Sequence, residues 1–238
     1  MTDRPIIFSA PMVRALLAGR KTQTRRLLRN PEYYGCPTGD CPHDRQSECN
    51  AAMVALSAKE AGYAAGDRLW VRETWRVAPD ACEGWAPDAV PCVGWIDYRA
   101  GGEAQVRAPS FSHVLDAFGK RVDADWDCLP DRWRPSIFMP RWASRITLLV
   151  DDVRVQRLQD ISEADIAAEG VRADPPKLAQ TAPGRVNMTP ITWSEGQDYT
   201  ASSAFKRLWN SLHGPGAWAA NPWVVALTFR LQLGNIDA

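Results

Sequence analysis

The sequence is short of several features that would settle its class at once. No stretch approaches the ~20 consecutive apolar residues that a membrane-spanning helix needs. The start, Met-Thr-Asp-Arg-Pro-Ile-Ile-Phe-Ser, has no basic segment followed by an apolar one, so the reading predicts no secretory signal and a cytoplasmic protein. Its six cysteines are then expected to stay reduced. Net charge is missing as well: 28 Lys+Arg stand against 28 Asp+Glu, which argues against a bulk electrostatic coat for nucleic acid and leaves a local binding face open. Histidine is scarce, at three residues, and neither His113 nor His213 has a partner that would make a Cys/His or Ser/His/Asp arrangement. There is no phosphate-binding Gly-rich loop and no internal repeat.

What is present is 238 residues with 45% hydrophobic and 24% charged content, ordinary for a soluble domain. The reading is a single domain over 1–238 with insertions at about 31–65, 76–143 and 171–199. Charge is distributed unevenly. From Arg4 to Asn30 there are seven basic residues and no acidic one. A local cationic field of this kind suits an anionic or nucleotide-like partner. Its centre is Gly19-Arg20-Lys21-Thr22-Gln23-Thr24-Arg25-Arg26.

Periodicity outlines the elements. Ser9 reads as an N-cap before a short helix with Pro11 in its first turn and an apolar stripe of Met12, Val13, Leu16 and Leu17; Gly19 ends it. Had the segment that follows run as a flat strand, Lys21 and Thr24 would face opposite ways, so a shared site requires a turn or bulge. Glu48 to Ala61 reads as a helix, Asp67 to Trp75 as a strand, and Cys92 to Arg99 as one short hairpin in an otherwise irregular stretch. Ile146-Leu148-Val150 and Val153-Val155 alternate on either side of a bend at Asp151-Asp152. Ser162 and Asp165 resemble a capping box for a helix over Ile161–Glu169 that Gly170 stops. Residues 172–198 are polar and predicted mobile. Thr200 to His213 reads as an amphipathic helix with Phe205, Leu208, Trp209 and Leu212 inward. Trp223, Val225, Leu227, Phe229 and Leu231 alternate in a closing strand. The order suggests an α+β fold built on a small mixed β-barrel with peripheral helices and long loop insertions.

Three ordered motifs carry a resemblance: Gly19-Arg20-Lys21-Thr22-x-Thr24-x-Arg26, Gly66-Asp67-x-Leu69-x-Val71, and Ile161 to Glu169-Gly170. Together they resemble the ASCH domain, a branch of the PUA-like β-barrels. Met139-Pro-Arg-Trp-Ala-Ser-Arg145 and Asn221-Pro-Trp223 are similar to the larger phage and prophage-encoded members. The resemblance implies a PUA-like barrel and two functional classes. One is an amidohydrolase that removes the acyl group from an N-acylated pyrimidine nucleoside such as N4-acetylcytidine, with Lys21 as base, Thr24 as nucleophile and Glu169 as proton donor. The other is a non-catalytic module that binds RNA or single-stranded nucleic acid in the same cationic groove. Arg20, Thr22, Arg26 and Trp75 are the expected substrate contacts. No cofactor and no metal are expected.

The chemistry can be judged on its own. A threonine hydroxyl attacks only if a base takes its proton. Lysine serves as that base only if its pKa falls by about three units from ~10.4. One cation ~7 Å away at an effective dielectric of ~20 supplies roughly 2 kcal/mol before screening. Arg20, Arg25 and Arg26 are the candidates. Glu169, at a helix C-terminus, is biased toward the acid form by the dipole. The plainer reading makes Lys21 and the arginines a solvated basic face or phosphate contacts, with Thr22 and Thr24 ordinary strand residues. Glu73 is a competing carboxylate outside the motif.

Cys36, Cys41, His43 and Cys49 offer four zinc ligands at irregular spacing, against a reading as incidental thiols in a loop. Eleven tryptophans are core fillers for about two-thirds of their number, with the rest available for stacking on bases.

Overall fold

A computed structural model describes residues 1–28, 61–77, 92–108, 133–171 and 200–237. They form a mixed α+β fold, richer in strand than in helix. The elements are β1 (Asp3–Ile7), α1 (Ala10–Leu17), β2 (Gln23–Leu27), β3 (Arg68–Arg72), β4 (Trp75–Val77), β5 (Cys92–Tyr98), β6 (Glu103–Ala108), β7 (Ile146–Arg157), α2 (Glu163–Ala168), α3 (Ala201–His213) and β8 (Trp223–Leu233). Two sheets result, one of five strands in the order β1-β3-β7-β8-β2 and one of three in the order β4-β5-β6. In the larger sheet β1 runs parallel to β3, and the other pairings are antiparallel.

The long β7–β8 ladder is the spine. Its alternating residues send Leu148, Val150, Val225, Leu227 and Phe229 to one face, where they meet Ile6, Leu69 and α1 residues Val13 and Leu16. Each such side chain contributes ~1.5–3 kcal/mol by leaving water. Val224 points the other way, into a second cluster with Leu158, Ile166, Phe205 and Trp209. Helices therefore cover both faces of β8, α1 on one and α2 with α3 on the other. The ladder register shifts between Val150 and Asp152, which puts the bulge at Asp151.

Among the described residues the sheet does not close into a barrel: β1 and β2 are its edges. A side chain links them instead, since Arg26 Nη2 donates to the carbonyl of Ile7 at 2.6 Å.

Several local expectations need correcting. The strand expected over Asp67–Trp75 breaks at Glu73-Thr74, and its end joins the other sheet as β4. The break coincides with Glu73, whose side chain is taken by Arg145 at 2.9 and 3.0 Å. Cys92–Arg99 is no complete hairpin but one full strand. The chain turns at Gly101 and Gly102, both at positive φ, and returns as β6. Leu17 and Leu212, expected inward, are 39% and 51% exposed at the last turns of α1 and α3. The helix expected over 48–61 lies, apart from Ala61, outside the described residues, as do 172–198 and the four zinc candidates. Among the eight tryptophans described, Trp70, Trp75 and Trp209 are buried while Trp95 is 41% exposed.

Candidate active site

The site is built where the ends of α1 and α2 meet the start of β2. A capping box of Ser162 and Asp165 opens α2, and Glu169 is its C-cap residue. Gly170 follows at φ +81°, and a Cβ there would lie 3.2 Å from the Cβ atoms of both Ala15 and Lys21. Glycine is therefore needed for two reasons, backbone conformation and close approach. Main-chain bonds hold the junction. Lys21 N–H donates to Ala15 O at 3.1 Å, Thr22 N–H to Ala168 O at 2.8 Å, and Phe229 N–H to Thr22 O at 3.0 Å. Strand geometry begins only at Gln23. Lys21 and Thr22 precede the strand in irregular backbone, and no hydrogen bond joins the Lys21 and Thr24 side chains.

Lys21, only 2% exposed, reaches Glu169. Its Nζ donates to Glu169 Oε2 at 2.5 Å and to the Glu169 carbonyl at 3.0 Å. The other carboxylate oxygen, Oε1, accepts from Arg25 Nη1 at 3.4 Å. Arg25 is fully buried at its side chain and pairs with Asp165 at 3.1 Å. Gln23 completes this side: Nε2 donates to Asp165 Oδ1 at 3.1 Å and to Thr228 Oγ1 at 3.2 Å, while Oε1 accepts from Arg25 Nη1 at 2.6 Å. Arg154 Nη2 also donates to Asp165 Oδ1, at 3.0 Å. On the opposite side lies the Phe8 ring, 5.6 Å from Lys21 Nζ and 5.1 Å from Arg26 Cζ.

Burial pushes the Lys21 ammonium below its ordinary value; Glu169 opposes this, and Arg26 and Arg25 add to it. Burial likewise lowers Arg26, with Tyr63 and Glu169 acting in the other direction. For Asp165, burial alone would raise the carboxyl. Hydrogen bonds from Gln23 and Arg154 and the charges of Arg25 and Arg154 outweigh it, and the group titrates at about 2.

Of the residues expected from sequence, Lys21 and Glu169 are in contact. Thr24 is 4% exposed and pairs across the ladder with Leu227, on the face of β2 opposite Gln23 and Arg25. Arg26 shares its face. Thr22 joins through its backbone and leaves its side chain exposed; Arg20 is half-buried and is held through its N–H to Ala15 O at 2.9 Å. Trp75 is elsewhere. Its ring is 0% exposed and meets Trp142 edge-on at 6.1 Å, so it offers no open face to a base. Glu73, the competing carboxylate, is buried against Arg145 as described above. Among the described residues no three His, Cys, Asp or Glu side chains form a potential metal cluster.

Sequence reasoning did not give Gln23, Asp165 or Phe8 a place here. The signal was available for Gln23: alternation in β2 puts it on the same face as Arg25, which needs a carboxylate if buried. Comparison with family models, with curated proteins and with solved structures finds no match.

Proposed function

We propose that this chain is an ASCH-type amidohydrolase that removes an acyl group from an N-acylated pyrimidine nucleoside of the N4-acetylcytidine kind. One observation carries the reading: a nearly inaccessible lysine amine lies 2.5 Å from a carboxylate at the end of α2. Lysine and arginine that grip phosphate must be open to it, whereas Lys21 and Arg25 are buried and paired with carboxylates. This weighs against the nucleic-acid groove. The approach of the β1 and β2 edges at Arg26 and Ile7 supports kinship with the PUA-like barrels.

In the proposed reaction Lys21 passes its proton to Glu169 across their short contact. The free amine then takes the hydroxyl proton of Thr24 as Oγ1 bonds to the acyl carbon. The oxyanion gains from the positive charge of Arg26, on the same face of β2. Collapse breaks the amide C–N bond as Glu169 returns the proton to the leaving amine. For deacylation Lys21 again passes its proton to Glu169, then takes one from water as the hydroxide bonds to the acyl carbon. It returns that proton to Thr24 Oγ1 as the ester C–O bond breaks and the carboxylic acid leaves. Acetate release from N4-acetylcytidine tests the scheme in wild type, Lys21→Ala and Thr24→Ala. Turnover in the first and none in the others is expected. An inactive wild type that binds oligonucleotides with a steep salt dependence would give the groove the better claim.

A further inference from the structure

A cavity of about 370 Å³ opens beside the site, lined by Arg4, Arg26, Leu28, Tyr63 and Val225 among others. That volume lies in the ~300–1,000 Å³ range of small-molecule pockets. It spans the gap between the two sheet edges: Arg4 comes from β1, on the face shared with the core residue Ile6, and Arg26 from β2. Arg26 connects it to the chemistry. Arg26 lies over one side of the same Phe8 ring that Lys21 approaches, and it is two residues from Thr24 on the same face.

Both guanidinium groups lack an adequate counter-charge. Among the described residues no carboxylate forms an ion pair with Arg26, whose hydrogen bond is to the Ile7 carbonyl. Arg4 Nε is buried with no hydrogen-bond partner. The carboxylate nearest to it, Asp67, stands 4.0 Å away and accepts instead from the N–H groups of Thr2 and Ala64, at 2.8 and 3.0 Å. Tyr63 supplies an aromatic face under Arg4, at 6.0 Å. The Arg4 side chain is 43% exposed and Arg26 is half-buried, so both are open to a ligand that supplies the missing anion, and planar guanidinium forks match phosphate oxygens. We infer that this cavity is a phosphate subsite, and that the substrate is a nucleoside monophosphate rather than the free nucleoside. The inference rests on the hydrolase reading only for the nucleoside half of the ligand.

Isothermal titration with cytidine, cytidine 5′-monophosphate, inorganic phosphate and a short unphosphorylated single-stranded oligonucleotide tests it. The monophosphate should bind at least about tenfold more tightly than cytidine, the value of one charge-assisted hydrogen bond. Inorganic phosphate should compete with it. Arg4→Gln should bring the ratio toward one, and Arg4→Lys should retain part of it. Equal affinities for nucleotide and nucleoside, an Arg4→Gln protein with its preference intact, or an oligonucleotide that outbinds the monophosphate would each overturn the assignment. Acetate release is scored separately. Its absence with phosphate binding intact removes the hydrolase and leaves the subsite; turnover without preference for the nucleotide does the reverse.

Discussion

Lys21 Nζ and Glu169 Oε2 are 2.5 Å apart although 148 residues separate them in the chain. Removing one member of a buried ion pair costs about 3–5 kcal/mol, because the other charge is stranded. Here Arg25 still accompanies Glu169 at 3.4 Å, so Lys21→Met should lose near the lower bound, about 3 kcal/mol in urea unfolding. Pairing it with Glu169→Leu should recover part of that stability and no activity. Acetate release surviving in the double variant would show that the pair is only structural.

The charge on Arg26 should be visible in the pH–rate profile. The pair works while it holds one proton, which Glu169 must return to the leaving amine. At high pH kcat/KM should therefore fall as Lys21 loses that proton, below the ordinary lysine value. Burial sets most of that depression and Arg26 adds to it. Arg26→Gln should therefore move the falling limb to higher pH. A limb that stays in place, or moves to lower pH, rules out Lys21 as the titrating base.

Gly170 separates packing from backbone strain. Gly170→Ala must hold φ near +81° and also place a methyl 3.2 Å from the Cβ of Lys21. Gly216 has φ +83° and nothing within 4 Å of a built Cβ, so Gly216→Ala meets strain alone. Both should lose about 1–2 kcal/mol of stability in urea unfolding. Only Gly170→Ala should also lose kcat, by about tenfold, through displacement of Lys21. Equal kcat in the two variants would mean that the Lys21 position tolerates the shift.

The strands with one dominant face were legible. β8 shows why: Val225, Leu227 and Phe229 repeat at period two, and the Asp151-Asp152 interruption in β7 marks the bulge the ladder contains. The burial of Val224 was hidden, because it depends on α3, which packs on that face through contacts remote in sequence. The same limit applies to the site. Lys21 and Glu169 were singled out by motif, but the Gln23–Arg25–Asp165 network joins residues over 140 positions apart. Trp75 illustrates the opposite error. A tryptophan at the end of an apolar run reads equally as platform or core, and its contact with Trp142 makes it core. Barrel closure was never a property of strand composition. It depends on whether β1 and β2 pair, and the two edges are instead bridged by one arginine.

Asp165 offers a test of the network that does not depend on catalysis. Its carboxyl titrates at about 2 in the fold, below the ordinary value of 3.8. A depressed acid stabilises the folded state at pH above the unfolded value, and the contribution disappears as pH falls toward the folded one. At ~1.4 kcal/mol per pH unit this amounts to about 2 kcal/mol, present above about pH 4 and lost by about pH 2. Asp165→Asn keeps one acceptor oxygen, enough for Gln23 or for the capping box but not for both, and removes the charge that Arg25 and Arg154 share. Carboxylates remote from Arg25 and Arg154 are unaffected by the substitution, so the difference between the two stability curves reports Asp165 together with its coupling through Arg25. Urea unfolding between pH 7 and pH 2 should show the wild-type advantage shrinking by about 2 kcal/mol across the acid window. Curves that stay parallel would mean that Asp165 is as weakly held folded as unfolded, and that Arg25 is anchored by Glu169 alone.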